Sequence, residues 1–387
     1  MASEKVHRVA NYVLLICIPI MIAITILVGA PESYQLFGMT MPTPDYPIYY
    51  VQDWIALFSG QNPYHYICGA GGYCSCYYPP GFLSLVGFIF FYAFDLLGPK
   101  IFLCLIWIFT AYKVNALCKK YAIPLKATIY LVFVIILFNP FYLASLLITG
   151  TYDVLIGLFV LLAVIAIDEN EQIRSGIYAA LALLFKFIGL AIIAPLVFIK
   201  KKINWKTGLI FVLICGGVYF IGFLLWGSYV LNSFTLHLAR SEIITSIAGV
   251  LGISLNTLLL LLLAGGGIVL AIIGYFLYSK NTDPASFTLI FILVFLMLFA
   301  LVVRWVPVAA MVWFLPLFIY WSVTHDYKLN KTIGLYQVAG IPIMIFWGFF
   351  GVELSNNLGA WIGQIIYACL NGVVALSIYL NRDQGEK

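Results

Sequence analysis

A carboxylate held in a rigid loop can serve as a general base, and Asp45 is placed for that. It stands in Pro42-Thr-Pro-Asp45-Tyr-Pro-Ile-Tyr49-Tyr50, where three prolines restrict the backbone. A carboxylate fixed in this way can take a proton from an acceptor hydroxyl. The same pattern also suits a helix N-cap or a solvated loop acid. The neighbouring Asp53 falls one turn after Tyr49 in a helical stretch, beside Trp54. It reads as a polar-face residue that can also touch substrate. The cations form a second set. His237 and Arg240 are three apart in Leu236-His237-Leu-Ala-Arg240-Ser-Glu242 and would share one helix face. Lys186 and Arg304 lie in or at the end of apolar runs, where a charge is expensive and faces a cavity or a partner. An imidazole, guanidinium or ammonium beside a bilayer suits a lipid-borne phosphate. Interfacial snorkelling is the plainer alternative. For Lys186 a third choice is pairing with Asp153, which follows Gly150 at the expected outer end of a span.

Tyrosines gather between Tyr46 and Tyr78, outside any long apolar run. Their amphipathic rings suit membrane anchors and sugar-binding walls equally well. The polar loop Cys68-Gly-Ala-Gly-Gly-Tyr-Cys74-Ser-Cys76 holds three of the eight cysteines. Facing outward it favours a Cys68–Cys74 or Cys68–Cys76 disulfide. Unbridged thiols, or a zinc site completed by His65, are the alternatives.

The elements that must position these residues are hydrophobic helices. Of 387 residues only 9% are charged, 20 Lys plus Arg against 15 Asp plus Glu, while 64% are apolar and the mean hydropathy is +1.06. Soluble domains carry about a quarter charged residues. Soluble enzymes, nucleic-acid binders, secreted disulfide scaffolds and disordered chains are therefore excluded, and the net charge of +5 is read as topology. The class is an all-α polytopic membrane protein, with residues 1–387 as a single integral membrane domain. The spacing predicts spans at about 11–30, 80–97, 100–117, 127–148, 153–167, 208–226, 255–279, 286–303, 308–323, 333–350 and 361–379, and a broken helix pair at 176–199 interrupted near Lys186 to Gly189. The total is 10–12 spans. Lys5 and Arg8, Lys119 and Lys120, and Lys200 to Lys202 mark the cytoplasmic side. Two outer loops result, 31–78 and 227–248. The first contains an amphipathic interfacial helix over 48–59, with Ile48, Val51, Ile55 and Phe58 on one face. With Lys119 inside and 31–78 outside, the two apolar segments of 80–117 cannot both be simple spans: either one is re-entrant or interfacial, or 176–199 is a plain span and the basic break lies outside.

The stretch from Asp45 through Tyr49, Tyr50, Trp54, Leu57, Gly60 and Pro63-Tyr64 to Tyr77-Tyr78-Pro79-Pro80-Gly81 resembles the first outer loop of GT-C fold glycosyltransferases that use polyprenyl-phosphate sugars. The resemblance is closest to the prokaryotic alpha-mannosyltransferase group that includes the mycobacterial phosphatidylinositol-mannoside mannosyltransferase. Asn139-Pro140 with Gly150-Thr-Tyr-Asp153, Ser175-Gly176 with Lys186, Pro195 and Lys200, Asn232 with His237, and Arg304 ahead of Pro307 and Pro316 fall in similar order. The Cys68–Cys76 insert departs from the family pattern, and Thr151 and Asp153 stand where the family often has Gln and Asn.

The resemblance implies a GT-C-like bundle and an inverting transfer of a hexose, mannose favoured. The donor is a dolichyl- or polyprenyl-phosphate sugar, and the acceptor is a lipid or lipid-linked glycan at the outer face of the cell membrane. Asp45 would be the base. Tyr49, Tyr50, Asp53, Tyr64, Tyr78 and Asp153 would contact sugar and acceptor, and Lys186, His237, Arg240 and Arg304 would hold the donor phosphate. No cofactor is implied, and with no second acid adjacent to Asp45 metal independence is expected. Partners are lipids, not nucleic acid. A secondary transporter or glycolipid flippase is the rival class, drawing on the broken helix and the intramembrane Lys186. A purely structural membrane protein leaves those charges without purpose.

Overall fold

The computed structural model describes residues 2–28, 33–36, 39–42, 51–67, 73–74, 76, 97–139, 143, 152–186, 189–199, 201–233, 251–252, 254–302, 312–325 and 358–381. In chain order the helices are α1 (Ala2–Val28), α2 (Val51–Phe58), α3 (Gly98–Lys120), α4 (Leu125–Ile129), α5 (Asp153–Asp168), α6 (Gln172–Phe185), α7 (Gly189–Val197), α8 (Trp205–Trp226), α9 (Leu255–Ser279), α10 (Pro284–Val302), α11 (Leu315–Thr324) and α12 (Leu358–Asn381). Among the described residues three segments are long and apolar enough to cross a membrane: His7–Leu27, Gly98–Lys120 and Trp205–Leu231, with mean hydropathies of 2.4, 1.8 and 2.5. Shorter apolar helices surround them, as an all-α membrane protein requires. Three two-stranded antiparallel ribbons were not anticipated: Ser33–Leu36 with Met39–Pro42, Tyr66–Ile67 with Tyr73–Cys74, and Phe198–Ile199 with Lys202–Ile203.

Side-chain contacts fix the direction of each helix. His7 Nδ1 meets Asn115 Oδ1 at 2.9 Å, and Thr25 Oγ1 meets Cys104 Sγ at 3.1 Å, so α1 and α3 are antiparallel. Val28 and Gly98 therefore lie at the same end, and the intervening chain returns to the end it left. The apolar stretch expected as a span over 80–97 lies, up to residue 96, outside the described residues. α3 finishes at Lys119 and Lys120, and Lys120 pairs with Glu169 at 2.8 Å, which brings the C-terminal ends of α3 and α5 together. Between them α4 climbs back along α3, with Trp107 Nε1 donating to the Ile136 carbonyl at 2.9 Å. The span expected over 127–148 is regular only to Ile129. It then widens over Tyr130–Leu137 and closes with Phe138 N–H on the Phe133 carbonyl, an i→i+5 bond.

Hydrophobicity all round makes α5 the central helix. From Asp153 to Ile167 nearly every side chain is buried, against α6, α11 and α3. Small residues permit the close approaches that packing in lipid depends on. A Cβ on Gly157 would strike the Val312 carbonyl, and one on Gly189 would strike the backbone of Leu183. The second contact defines a reversal. α6 ends at Phe185, Lys186 is extended (φ −161°, ψ 146°), and α7 starts at Gly189 and runs back. Asn204 then bonds to the Leu196 and Val197 carbonyls, and Thr207 Oγ1 to the Gln172 carbonyl at 3.1 Å. α6 and α7 thus enter and leave at one end, with Lys186 at the tip. The break falls where the sequence placed it. The expected run to residue 199 stops at Val197, because Phe198–Ile203 forms a hairpin turning at Lys201 (φ 53°).

The end holding Lys119, Lys120, Arg174, Lys201, Lys202 and Lys206 is the basic end. There Tyr320 on α11 donates to Asp168 at 2.7 Å, Trp321 donates to Ser286 at 2.7 Å, and His325 Nε2 meets Asp283 Oδ2 at 3.1 Å. Burial alone would lower the His325 pKa. The hydrogen bond and charge of Asp283, with the Trp321 carbonyl and Asp168, outweigh burial and raise it. Burial likewise opposes ionisation of Asp283, but His325 and Ser286 hold it below the ordinary carboxylate value.

Two predictions follow from this packing. Gly189→Ala forces apart the two arms of the hairpin and lowers stability in detergent by about 2 kcal/mol or more, read as a drop in Tm. The His325–Asp283 contribution is complete below the ordinary histidine value of 6.5 and above that of the carboxylate, and it fades as pH rises through the raised His325 value. Wild type should therefore lose about 1–2 kcal/mol relative to His325→Gln across that alkaline window in pH-dependent melting curves.

Candidate functional site

The tip of the α6–α7 hairpin meets the N-terminus of α5. Asp153 opens α5 and is wholly buried; Lys186, 19% exposed, reaches it with Nζ 2.8 Å from Oδ1. Trp313, just ahead of α11, donates its indole N–H to the same Oδ1 and lies under the ammonium, whose nitrogen is 4.7 Å from the ring centroid. The close approach at Gly157 explains the geometry. Gly157 is one turn after Asp153, and its contacts with Val312 and Pro316 seat Trp313 on the carboxylate. Both donors converge on Oδ1, and Oδ2 has no hydrogen-bond partner among the described residues. The sixteen residues of α5 set the pair about 24 Å from the basic end.

Aromatic rings surround the pair. Tyr152 stacks on Phe185 at 6.3 Å, and Phe185 meets Phe159 at 6.0 Å. Trp54 from α2 packs edge-on against Tyr152 at 6.3 Å, which places α2 directly over the tip. The rest of the first loop is tied to α8. Asn62 donates to the Trp226 carbonyl at 3.1 Å, Tyr64 packs on Trp226 at 5.4 Å, and His65 stacks on Tyr229 at 4.4 Å and 11°. Burial, reinforced by Cys76, Tyr219 and Asp53 nearby, holds the Tyr64 phenol well above its ordinary pKa.

The sequence-derived residues divide as follows. Asp153 and Lys186 come together as a buried ion pair, one of the three arrangements expected for Lys186. Tyr64 lies in the loop core, away from the surface. Asp53 is not on a polar face: it is 2% exposed, because α2 turns Asp53, Trp54 and Ala56 inward and leaves Ile55 exposed. The helix spans Val51–Phe58, and the residues 48–50 expected to begin it lie outside the described residues. The second loop, expected from 227, opens with a helical continuation of α8 over Gly227–Leu231. Cys76 is wholly buried. Its amide bonds to the Pro63 carbonyl at 2.9 Å, which draws it into the core. Cys68 and the side chain of Cys74 lie outside the described residues, as do Asp45, Tyr49, Tyr50, Tyr78, His237, Arg240 and Arg304.

Sequence reasoning missed Trp313 and Lys100. The indole carries no charge to flag it and is 160 positions from its partner. Lys100 is 1% exposed in the first turn of α3, where a cation opposes the helix dipole; that placement was the available signal. Among the described residues no group of three His, Cys, Asp or Glu is gathered to hold a metal. No protein-family model matches the chain, and no curated protein matches it.

Removing one partner of a buried ion pair strands the other charge and costs about 3–5 kcal/mol, whereas replacing both by apolar groups is close to neutral. Asp153→Ala and Lys186→Ala should each lose that much in detergent unfolding, and Asp153→Leu combined with Lys186→Met should recover most of it.

Proposed function

We propose that this chain is an integral-membrane glycosyltransferase that moves a hexose, mannose favoured, from a dolichyl- or polyprenyl-phosphate donor to a lipid or lipid-linked glycan. The reaction takes place at the outer face of the cell membrane. In this reading the basic end is cytoplasmic. Ten crossings then close the topology, with the α6–α7 hairpin re-entrant and one crossing between His325 and Leu358. The carrying observation is the order of layers: the first loop's helix α2 rests through Trp54 on Tyr152, immediately beside the half-buried Lys186 that pairs with a wholly buried Asp153. A lipid-linked donor needs that order. Its phosphate lies at the membrane boundary, its chain stays in lipid, and its sugar faces the loop.

The chemistry is an inverting displacement. Asp45 takes the proton of the acceptor hydroxyl, the oxygen attacks C1, and the C1–phosphate oxygen bond breaks with its electrons passing to the lipid phosphate. Charge grows on that phosphate, and fixed cations aimed at it lower the barrier. Lys186, together with Arg304, His237 and Arg240, is assigned that role. Tyr49, Tyr50 and Tyr78 are assigned to the sugar and acceptor sites, and Tyr64 supports the loop from its core against Trp226.

The rival reading is a secondary transporter or glycolipid flippase. It rests on the re-entrant hairpin, since broken helices carrying charges line transport sites.

In nanodiscs with polyprenyl-phosphate hexoses and membrane lipid acceptors, Asp45→Asn should lower transfer by about 100-fold or more while the protein stays folded. Lys186→Met, paired with Asp153→Leu to keep the fold, should lower kcat by about 100-fold through loss of charge stabilisation. Transfer that survives Asp45→Asn removes Asp45 as the base. Donor-independent lipid flux in proteoliposomes, without transfer, would favour the carrier.

A further inference from the structure

The Asp153–Lys186 pair is satisfied on one side only. Oδ1 receives both the ammonium and the Trp313 indole, and Oδ2, in a side chain with no exposed surface, accepts nothing among the described residues. A buried carboxylate oxygen is costly to leave unbonded. Lys186 has the complementary surplus. An ammonium has three N–H groups, and among the described residues Asp153 takes one, leaving two on a partly exposed side chain whose nitrogen lies over an aromatic face. Three residues on, α7 begins at Gly189 and runs for nine residues, so the positive end of its dipole adds to Lys186 at the tip.

These unused groups define a ligand. The two N–H groups and the helix end ask for an anionic oxygen. Oδ2 asks for a neutral donor, since a second cation would be repelled by Lys186. Nζ stands 2.8 Å from the sister oxygen of the same carboxylate, so the two demands are less than one monosaccharide apart. In a glycosyl phosphate, the hydroxyl nearest the C1 phosphate is the one on C2. Tyr152, Phe185 and Trp313 supply the ring faces that apolar sugar surfaces pack against.

We propose that the hairpin tip is a bipartite site for a lipid-linked glycosyl phosphate, in which Lys186 binds the phosphate and Asp153 Oδ2 accepts the C2 hydroxyl of the sugar. The proposal rests on the transferase reading and specifies how its donor is recognised. Asp153 is then a specificity residue as well as the counter-ion that presents Lys186.

The test is binding, independent of turnover. Wild type, Asp153→Asn and the Asp153→Leu/Lys186→Met double variant are placed in nanodiscs. Each is titrated with farnesyl-phosphate mannose, its 2-deoxy analogue and inorganic phosphate. Wild type should bind the mannoside about 10-fold or more tightly than the 2-deoxy compound, because a site built around a hydroxyl rejects the ligand lacking it. In Asp153→Asn that preference should fall to about 2-fold or less, while both ligands still bind through Lys186. The folded double variant should bind neither. Equal binding of the two mannosides by wild type, preference surviving in Asp153→Asn, full binding by the double variant, or binding of inorganic phosphate alone each overturns the proposal. Transfer without 2-deoxy discrimination overturns it and leaves the transferase reading standing. Discrimination without transfer to any acceptor overturns the transferase reading and leaves the tip as the recognition site of a carrier.

Discussion

A carboxylate with no exposed surface has to be matched by the protein around it, and the Lys186–Asp153 contact imposes that demand on its neighbours. The fold answers with three separate elements. α5 offers Asp153 at its first residue, where the helix dipole favours a carboxylate. The hairpin brings Lys186 back to the same level, at the C-terminal end of α6 where the dipole favours a cation. The stretch ahead of α11 contributes the indole of Trp313. Each delivery depends on a glycine: Gly157 for the approach of α11, Gly189 for the turn of the hairpin. The pair itself adds little net stability, since desolvation offsets its attraction. Its strength as a constraint lies in the cost of separating the partners.

The polar side chains of the bundle sit mostly at its two ends, and the ends differ in kind. At the basic end the contacts are short and pair charge with charge or a hydroxyl with its partner: Lys120 with Glu169, Tyr320 with Asp168, His325 with Asp283, Trp321 with Ser286. At the opposite end the contacts tie loop to helix through aromatic rings and one amide, and among the described residues Asp153 Oδ2 accepts nothing. Between the ends, α5 is packed on all sides, whereas α8 turns Leu209, Val212, Phe220, Phe223 and Leu224 outward.

That contrast shows what was legible in the sequence and what was not. Helices and the cationic end were legible because membrane insertion writes itself into hydropathy and into Lys and Arg placement. The break at Lys186 and the link to Asp153 were legible because a lone charge in an apolar run needs a partner. α5 and α8 could not be told apart, because lipid and protein interior select the same side chains. Asp53 was misplaced for a related reason: an eight-residue helix lying between lipid and protein has two apolar faces, and the periodicity does not say which one is covered. Trp313 was invisible since its contact is set by tertiary approach 160 residues along the chain. The burial of Cys76 was not legible because local spacing says nothing of the Pro63 carbonyl that pulls this residue inward.

The difference between the ends also bears on the choice between transferase and carrier. Alternating access requires that a central site open to each side in turn, and the basic end is closed by four polar contacts drawn from α3, α5, α10, α11 and their flanking turns. Opening it would separate a buried histidine from its carboxylate and an indole from its hydroxyl, with each stranded group adding a desolvation cost. At the opposite end α2 rests on Tyr152 through the ring of Trp54, and Asn62 ties the loop to the Trp226 carbonyl. A transferase working within a single leaflet does not ask the basic end to open. The four contacts there therefore weigh against alternating access, and they do so independently of any feature of the outer loop.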